Sequence, residues 1–169
     1  YSDDLLDGMK ESSRKADVIT PNLTEACLLS GTDIAKAMNY HDAESFLSFA
    51  SETAEKLREL AERPQDVVIT GVKCRKEETP FIYNIAVTER GTHMSRSHLF
   101  NRSFSGTGDL FASVLCGCRV NGMTTEDSID LAGRFLYHSI ADTMNDNIPP
   151  NDGINFEKYL VDLLHVSAL

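Results

Sequence analysis

The sequence predicts an α/β fold, with a mainly parallel sheet flanked by helices and an antiparallel hairpin at one edge. Three observations predict it. Amphipathic helical stretches alternate with short continuous apolar runs, the pattern of strands buried on both faces. Two further runs, Phe81–Thr88 and Thr92–Phe100, are joined across Glu89-Arg90-Gly91, a hairpin turn with glycine available for positive φ. Helical patterns then fill the chain to its end.

In order, Ser2–Ala16 reads as a helix capped by Ser2 or Asp3, with Leu5, Leu6 and Met9 on one face. Asp17–Thr20 is a short buried strand ending at Pro21. Asn22 or Thr24 caps the next helix, which stops at Gly31. Asp42–Arg63 carries Phe46, Phe49, Ala50, Leu57 and Leu60 at helical spacing and ends before Pro64. Asp66–Thr70 is a second buried strand, closed by Gly71. Beyond the hairpin, Gly108–Val120 is apolar on nearly all sides, which predicts a central buried helix. Thr125–Met144 and Phe156–Leu164 are the last two helices, with a proline-containing loop, Asn145–Gly153, between them.

Composition narrows the function classes. The 169 residues include 26 acidic and 16 basic ones, so the net charge is 16 − 26 = −10, and 41% are apolar. This is ordinary globular usage, expected to form one domain over residues 1–169, without collagen-like or low-complexity tracts. The acidic balance disfavours nucleic acid and anionic membrane surfaces as partners. No apolar run approaches the ~20 residues that span a bilayer. Cys27, Cys74, Cys116 and Cys118 match no zinc spacing and read as reduced thiols of a cytoplasmic protein. The five histidines form no metal-ligand cluster.

Two phosphate motifs fail outright. No GxxxxGK[ST] occurs, and a GxGxxG starting at Gly106 breaks at Phe111. What remains is Ser105-Gly106-Thr107-Gly108-Asp109 before the apolar helix. Glycines there let successive amide N–H groups converge, and the helix N-terminus adds partial positive charge, which suits a transferring phosphoryl group. Asp109 is then either a helix cap or a general base taking a proton from a substrate hydroxyl. Earlier in the chain, Asn22 and Glu25 follow a strand three residues apart. They form a capping arrangement, or Glu25 serves magnesium near ATP phosphates. Lys73, Arg75 and Lys76 form a basic run after Gly71, either a solvated turn or a cover for phosphates.

The phrase ADVITPNLTEACLLSG at Ala16–Gly31, together with SGTGDLFASVL at Ser105–Leu115, resembles the ribokinase-like superfamily of small-molecule kinases, most closely its pyridoxal (vitamin B6) kinase branch. The resemblance implies an ATP-dependent kinase that phosphorylates the hydroxymethyl group of pyridoxal, pyridoxine or pyridoxamine. It assigns Asp109 as the base and the Gly106, Thr107 and Gly108 amides as the anion hole. Asn22 and Glu25 match the N-x-x-E pair that organises magnesium and phosphate, and Thr20 stands near a bound cation. Thr70 and Gly71 match the strand end that touches the nucleotide, with Arg96 in a covering loop by the phosphates. ATP, Mg²⁺ and a monovalent cation such as K⁺ are the implied cofactors, and a homodimer the implied assembly at full length. Members are longer, so the chain resembles the C-terminal, ATP-binding part of such a kinase with its N-terminal part absent. Hydroxymethylpyrimidine kinases, many with cysteine at the position of Asp109, are the alternative, as is a non-catalytic nucleotide- or vitamin-binding relative.

Overall fold

A computed structural model describes residues 3–40, 42–74, 80–146 and 148–166. The chain divides into two compact units, Tyr1–Met94 and Ser95–Leu169, each described in turn.

In the first unit, α1 (Asp3–Arg14) leads into β1 (Val18–Ile19), α2 (Leu23–Ser30), a 3₁₀ turn (Ile34–Asn39), α3 (Ala43–Leu60), β2 (Asp66–Cys74) and β3 (Phe81–Thr88). β4 (Gly91–His98) follows across the Glu89-Arg90 turn, completing a sheet of order β1-β2-β3-β4. The sheet is mixed. β1 lies parallel to β2, pairing Val18 with Asp66 and Ile19 with Val67, while β3 runs antiparallel to β2. The expected edge hairpin is present, and the parallel part among the described residues is one strand pair.

The start and stop residues behave as their chemistry requires. Asn22 caps α2 and Gly31 ends it at φ 65°, a left-handed conformation that glycine adopts without a Cβ penalty. Asp42 caps α3 by accepting the Ser45 N–H at 2.7 Å. That helix stops at Leu60, ahead of the expected Arg63. The chain beyond it is held by α1 instead: the Glu62 N–H donates to the Arg14 carbonyl at 2.9 Å. Of the two expected caps of α1, Asp3 is its first helical residue and Ser2 lies outside the described residues, as do Arg75, Lys76 and His41.

α3 packs across β2 and β3, with α2 beside it. Ala50, Ala54 and Leu57 of α3 meet Val67, Ile69 and Ile85 in one core. Val68 and Ala86, a directly opposed pair pointing to the other face, are also fully buried. Both faces of the sheet are therefore covered, as the continuous apolar runs predict.

β2 departs from expectation at Gly71, which does not close the strand. Pairing runs Ile69 with Ile85 and then Val72 with Tyr83, so Thr70 and Gly71 together oppose the single residue Asn84. This is a β-bulge, and Gly71 occupies it at φ 68°. The apolar pattern demands it. Val67, Ile69, Val72 and Cys74 all face the same core, and a strand alternating every two residues cannot place 69 and 72 on one side without an extra residue. Lys73 consequently sits exposed within the strand, not in a loop.

In the second unit, α4 (Thr107–Val120) packs against α5 (Thr125–Asn145), and a 3₁₀ helix (Glu157–Val166) lies on α5 where an α-helix is expected. Phe111, Leu115 and Cys118 of α4 and Ile129, Ala132 and Phe135 of α5 are buried. Polar groups inside α5 are satisfied: Thr143 Oγ1 donates to the Ser139 carbonyl at 2.7 Å and accepts the Asn155 N–H at 2.8 Å. α4 is not buried on all sides. Ser113, Cys116 and Gly117 are exposed, and Val120 is 82% exposed.

Thiol chemistry tests this arrangement. Cys27, Cys74 and Cys118 are buried and Cys116 is exposed. Burial pushes the Cys27 and Cys118 thiols up from the ordinary value of 9.0. A mild alkylating agent should label Cys116 alone in the folded protein, and the other three only in denaturant, as read by peptide mass spectrometry. Because the two raised thiols hold their protons more tightly when folded, stability should fall as pH rises through 9.

Candidate functional site

Two clusters of the expected residues form, one in each unit. In the first, the chain leaves β1 at Thr20-Pro21 and turns directly into α2, while the neighbouring strand β2 reaches its bulge at Thr70-Gly71. The Thr70 N–H donates to the Pro21 carbonyl at 2.9 Å, and Asn22 bridges Thr70 in parallel. Thr20, Asn22, Glu25, Thr70 and Gly71 are thereby brought to one end of the β1–β2 pair, the end at which open α/β sheets take ligands.

Asn22 and Glu25 form a reciprocal capping box. Asn22 Oδ1 accepts the Glu25 N–H at 3.0 Å, and Glu25 Oε2 accepts the Asn22 N–H at 2.8 Å. The capping reading of these residues is thus realised. It engages only Oε2, so Oε1 of Glu25 keeps its lone pairs among the described contacts. Thr20 and Glu25 also line one open pocket of about 620 Å³, walled by α1 and by Leu29 of α2. A single carboxylate with a neighbouring hydroxyl suits Mg²⁺, which keeps several waters and takes its other oxygens from substrate phosphates. Among the described residues, no three His, Cys, Asp or Glu side chains assemble into a metal cage.

The second cluster is the glycine turn. Gly106, at φ 79°, is the N-cap of α4, and the first helical bond runs from the Leu110 N–H to the Gly106 carbonyl at 3.0 Å. No side chain caps this end, so the amides of the first turn stay available, as at any helix N-terminus without a cap. Asp109 sits in that turn, exposed, with its carboxylate free of hydrogen bonds among the described residues. The capping alternative for Asp109 is therefore not what the helix uses. At Gly108 an added Cβ would meet nothing within 4 Å.

The turn is braced from a distant loop by residues that the sequence does not single out. The Ser105 N–H donates to the Pro150 carbonyl at 3.0 Å, and Arg102 Nη2 donates to the Ile148 carbonyl at 2.9 Å. Arg102 also lies over the Phe104 ring at 5.3 Å. Arg96 is exposed within strand β4, not in a covering loop. A second missed residue is Asn84, whose Oδ1 accepts the Gly71 N–H at 3.1 Å. Its signal is readable in hindsight: one amide side chain inside the apolar strand FIYNIAVT, in a position where asparagine is depleted.

Comparison with solved structures defines the class. A Bacteroides thetaiotaomicron protein described as a phosphomethylpyrimidine kinase, crystallised with pyridoxal, superposes with a TM-score of 0.80 at 27% identity, over 96% of this chain and 54% of its own. Pyridoxal kinase from Lactobacillus plantarum gives 0.78 at 22% identity, over 98% and 55%. The Staphylococcus aureus pyridoxal kinase in complex with AMP-PCP and pyridoxal gives 0.68 at 21%, over 91% and 53%. The fold is thus that of the ribokinase-like small-molecule kinases, and the chain spans about half the length of the structures it matches. Residues 1–153 match the phosphomethylpyrimidine kinase family, and the chain belongs to that family. A search of curated proteins finds no match. No helix among the described residues is long and apolar enough to cross a membrane.

The capping box yields a stability test. Asn22→Ala should cost about 1 kcal/mol in urea unfolding by removing the N-cap acceptor. Glu25→Gln should change stability by less than about 0.5 kcal/mol, because glutamine can accept the same Asn22 N–H.

Proposed function

We propose that this chain is the nucleotide-side portion of an ATP-dependent kinase that phosphorylates the hydroxymethyl group of a vitamin B6 vitamer. The observation that carries the reading is the exposed, unbonded Asp109 carboxylate in the first turn of α4, beside the uncapped amides of Gly106, Thr107 and Gly108. Family membership and structural neighbours that include pyridoxal complexes support it. In the proposed step Asp109 accepts the hydroxyl proton while that oxygen forms a bond to the γ-phosphorus. The bond from γ-phosphorus to the β–γ bridging oxygen breaks, and ADP leaves with that electron pair. The amides of the glycine turn take up charge that develops on the equatorial oxygens.

Asn22 holds α2 at the end of β1, and the Oε1 oxygen of Glu25, with the Thr20 hydroxyl, stands ready for a hydrated cation. When bound, Mg²⁺ would neutralise phosphate charge there. Thr70 and Gly71 present the β2 bulge to the nucleotide. The family description favours one further reading, in which the acceptor alcohol is a hydroxymethylpyrimidine and not a pyridine.

Both readings are tested by ATP consumption with pyridoxal, pyridoxamine and hydroxymethylpyrimidine, measured on the chain alone and on the chain joined to the part of the Bacteroides relative that it does not match. Asp109→Asn should lower kcat at least about 10²-fold with nucleotide affinity kept. Unchanged turnover would remove Asp109 from the mechanism. Gly108→Ala separates fold from site. Its Cβ fits the free protein and removes a helical glycine, so stability should hold or rise by up to about 1 kcal/mol. Nucleotide affinity should fall about tenfold or more, because the methyl group intrudes where phosphate approaches the backbone.

A further inference from the structure

We infer that Asn84 is a positioning residue for the nucleotide, acting by locking the β2 bulge. The inference rests on the kinase reading above, in which Thr70 and Gly71 meet the nucleotide. Asn84 is the lone residue of β3 opposite the two bulge residues, between the register pairs Ile69 with Ile85 and Val72 with Tyr83. A bulge leaves one residue without a ladder partner, and its N–H must be satisfied elsewhere. Here the Gly71 N–H is satisfied by the Asn84 side chain at 3.1 Å.

Gly71 sits at φ 68°, where its peptide can pivot more freely than that of any other residue type. Without the side-chain acceptor, the Gly71 side of the Thr70–Gly71 peptide would lose the partner the structure shows for it, leaving the peptide held only through the Asn22–Thr70 bridge. One residue away, the Thr70 N–H is tied to the Pro21 carbonyl at 2.9 Å, and Asn22 next to it opens the capping box. Asn84 thus helps fix, through two consecutive peptides, the position of the β2 bulge relative to the Asn22–Glu25 pair. It contacts no reacting atom in this scheme and works through Gly71.

The test pairs Asn84→Ala with Asn84→Asp, which keeps an oxygen acceptor, and with Ile82→Ala as a control that weakens β3 away from the bulge. Three quantities are read: hydrogen-exchange protection of the Gly71 amide, the Kd for AMP-PCP, and Tm. Asn84→Ala should lose Gly71 protection and raise Kd about three- to tenfold, the range of one neutral hydrogen bond. Asn84→Asp should keep the protection. Ile82→Ala should lower Tm while leaving Kd unchanged. Equal rises in Kd for Asn84→Ala and Ile82→Ala would reduce Asn84 to a structural role and overturn the inference. Unchanged Kd in Asn84→Ala, with AMP-PCP binding to the unaltered protein, overturns the inference and leaves the kinase reading standing. No AMP-PCP binding by the unaltered protein overturns both.

Discussion

Much of the first unit follows from one constraint: Val67, Ile69, Val72 and Cys74 must all reach a single core from one strand. Strict alternation would send Val72 and Cys74 to the face that Val68 occupies. Breaking the alternation after Ile69 keeps Val72 and the Cys74 thiol inside, and glycine makes the break possible at φ 68°. The break falls beside the β1–α2 turn, where Thr70 bonds to Pro21. A packing requirement thus places an irregular, solvent-reachable backbone segment next to the Asn22–Glu25 pair. The core pattern of this strand thereby also sets the backbone of the candidate site.

Helix boundaries were legible where side-chain chemistry sets them locally. Asn22, Gly31 and Asp42 each stand where a cap is needed, and the structure uses all three. The hairpin was legible for the same reason: Gly91, at φ 114°, completes its turn. The bulge was not, although the spacing of Ile69 and Val72 contains it. A glycine after an apolar run signals a strand end and a strand irregularity equally well, and only the partner strand decides. The early stop of α3 had no local signal, because the competing Glu62–Arg14 bond is made by residues far apart in sequence.

Composition misled the reading of α4. Leu110, Phe111, Val114 and Leu115 give the helix an apolar look on most sides, yet burial is confined to the stripe of Phe111, Val114, Leu115 and Cys118 on the helix that packs with α5. The other side carries Ser113, Cys116 and Gly117, all exposed. These small residues neither drive burial nor forbid it, so residue counts could not settle the matter. The bracing of the glycine turn by Pro150 and Ile148 was equally invisible, since backbone carbonyls leave no mark in a sequence.

The helix ends themselves argue for where an anion belongs. A helix N-terminus attracts negative charge only while its donors remain free. At α2 the Asn22 and Glu25 side chains already engage two of those N–H groups, and Glu25 brings its own negative charge. At α3 and α5, Asp42 and Thr124 do the same work. α4 begins instead on Gly106, whose missing side chain leaves the turn uncapped. Putting glycine at Gly106 secures the left-handed turn, but Gly108 has ordinary backbone geometry and room for a methyl group. Gly8 and Gly117 are likewise uncrowded helical glycines, so what sets Gly108 apart is its place in an uncapped first turn. Negative charge is favoured there and disfavoured beside the Glu25 carboxylate. The two helix starts thus differ in kind: free backbone donors at α4, and donors already engaged beside a carboxylate at α2.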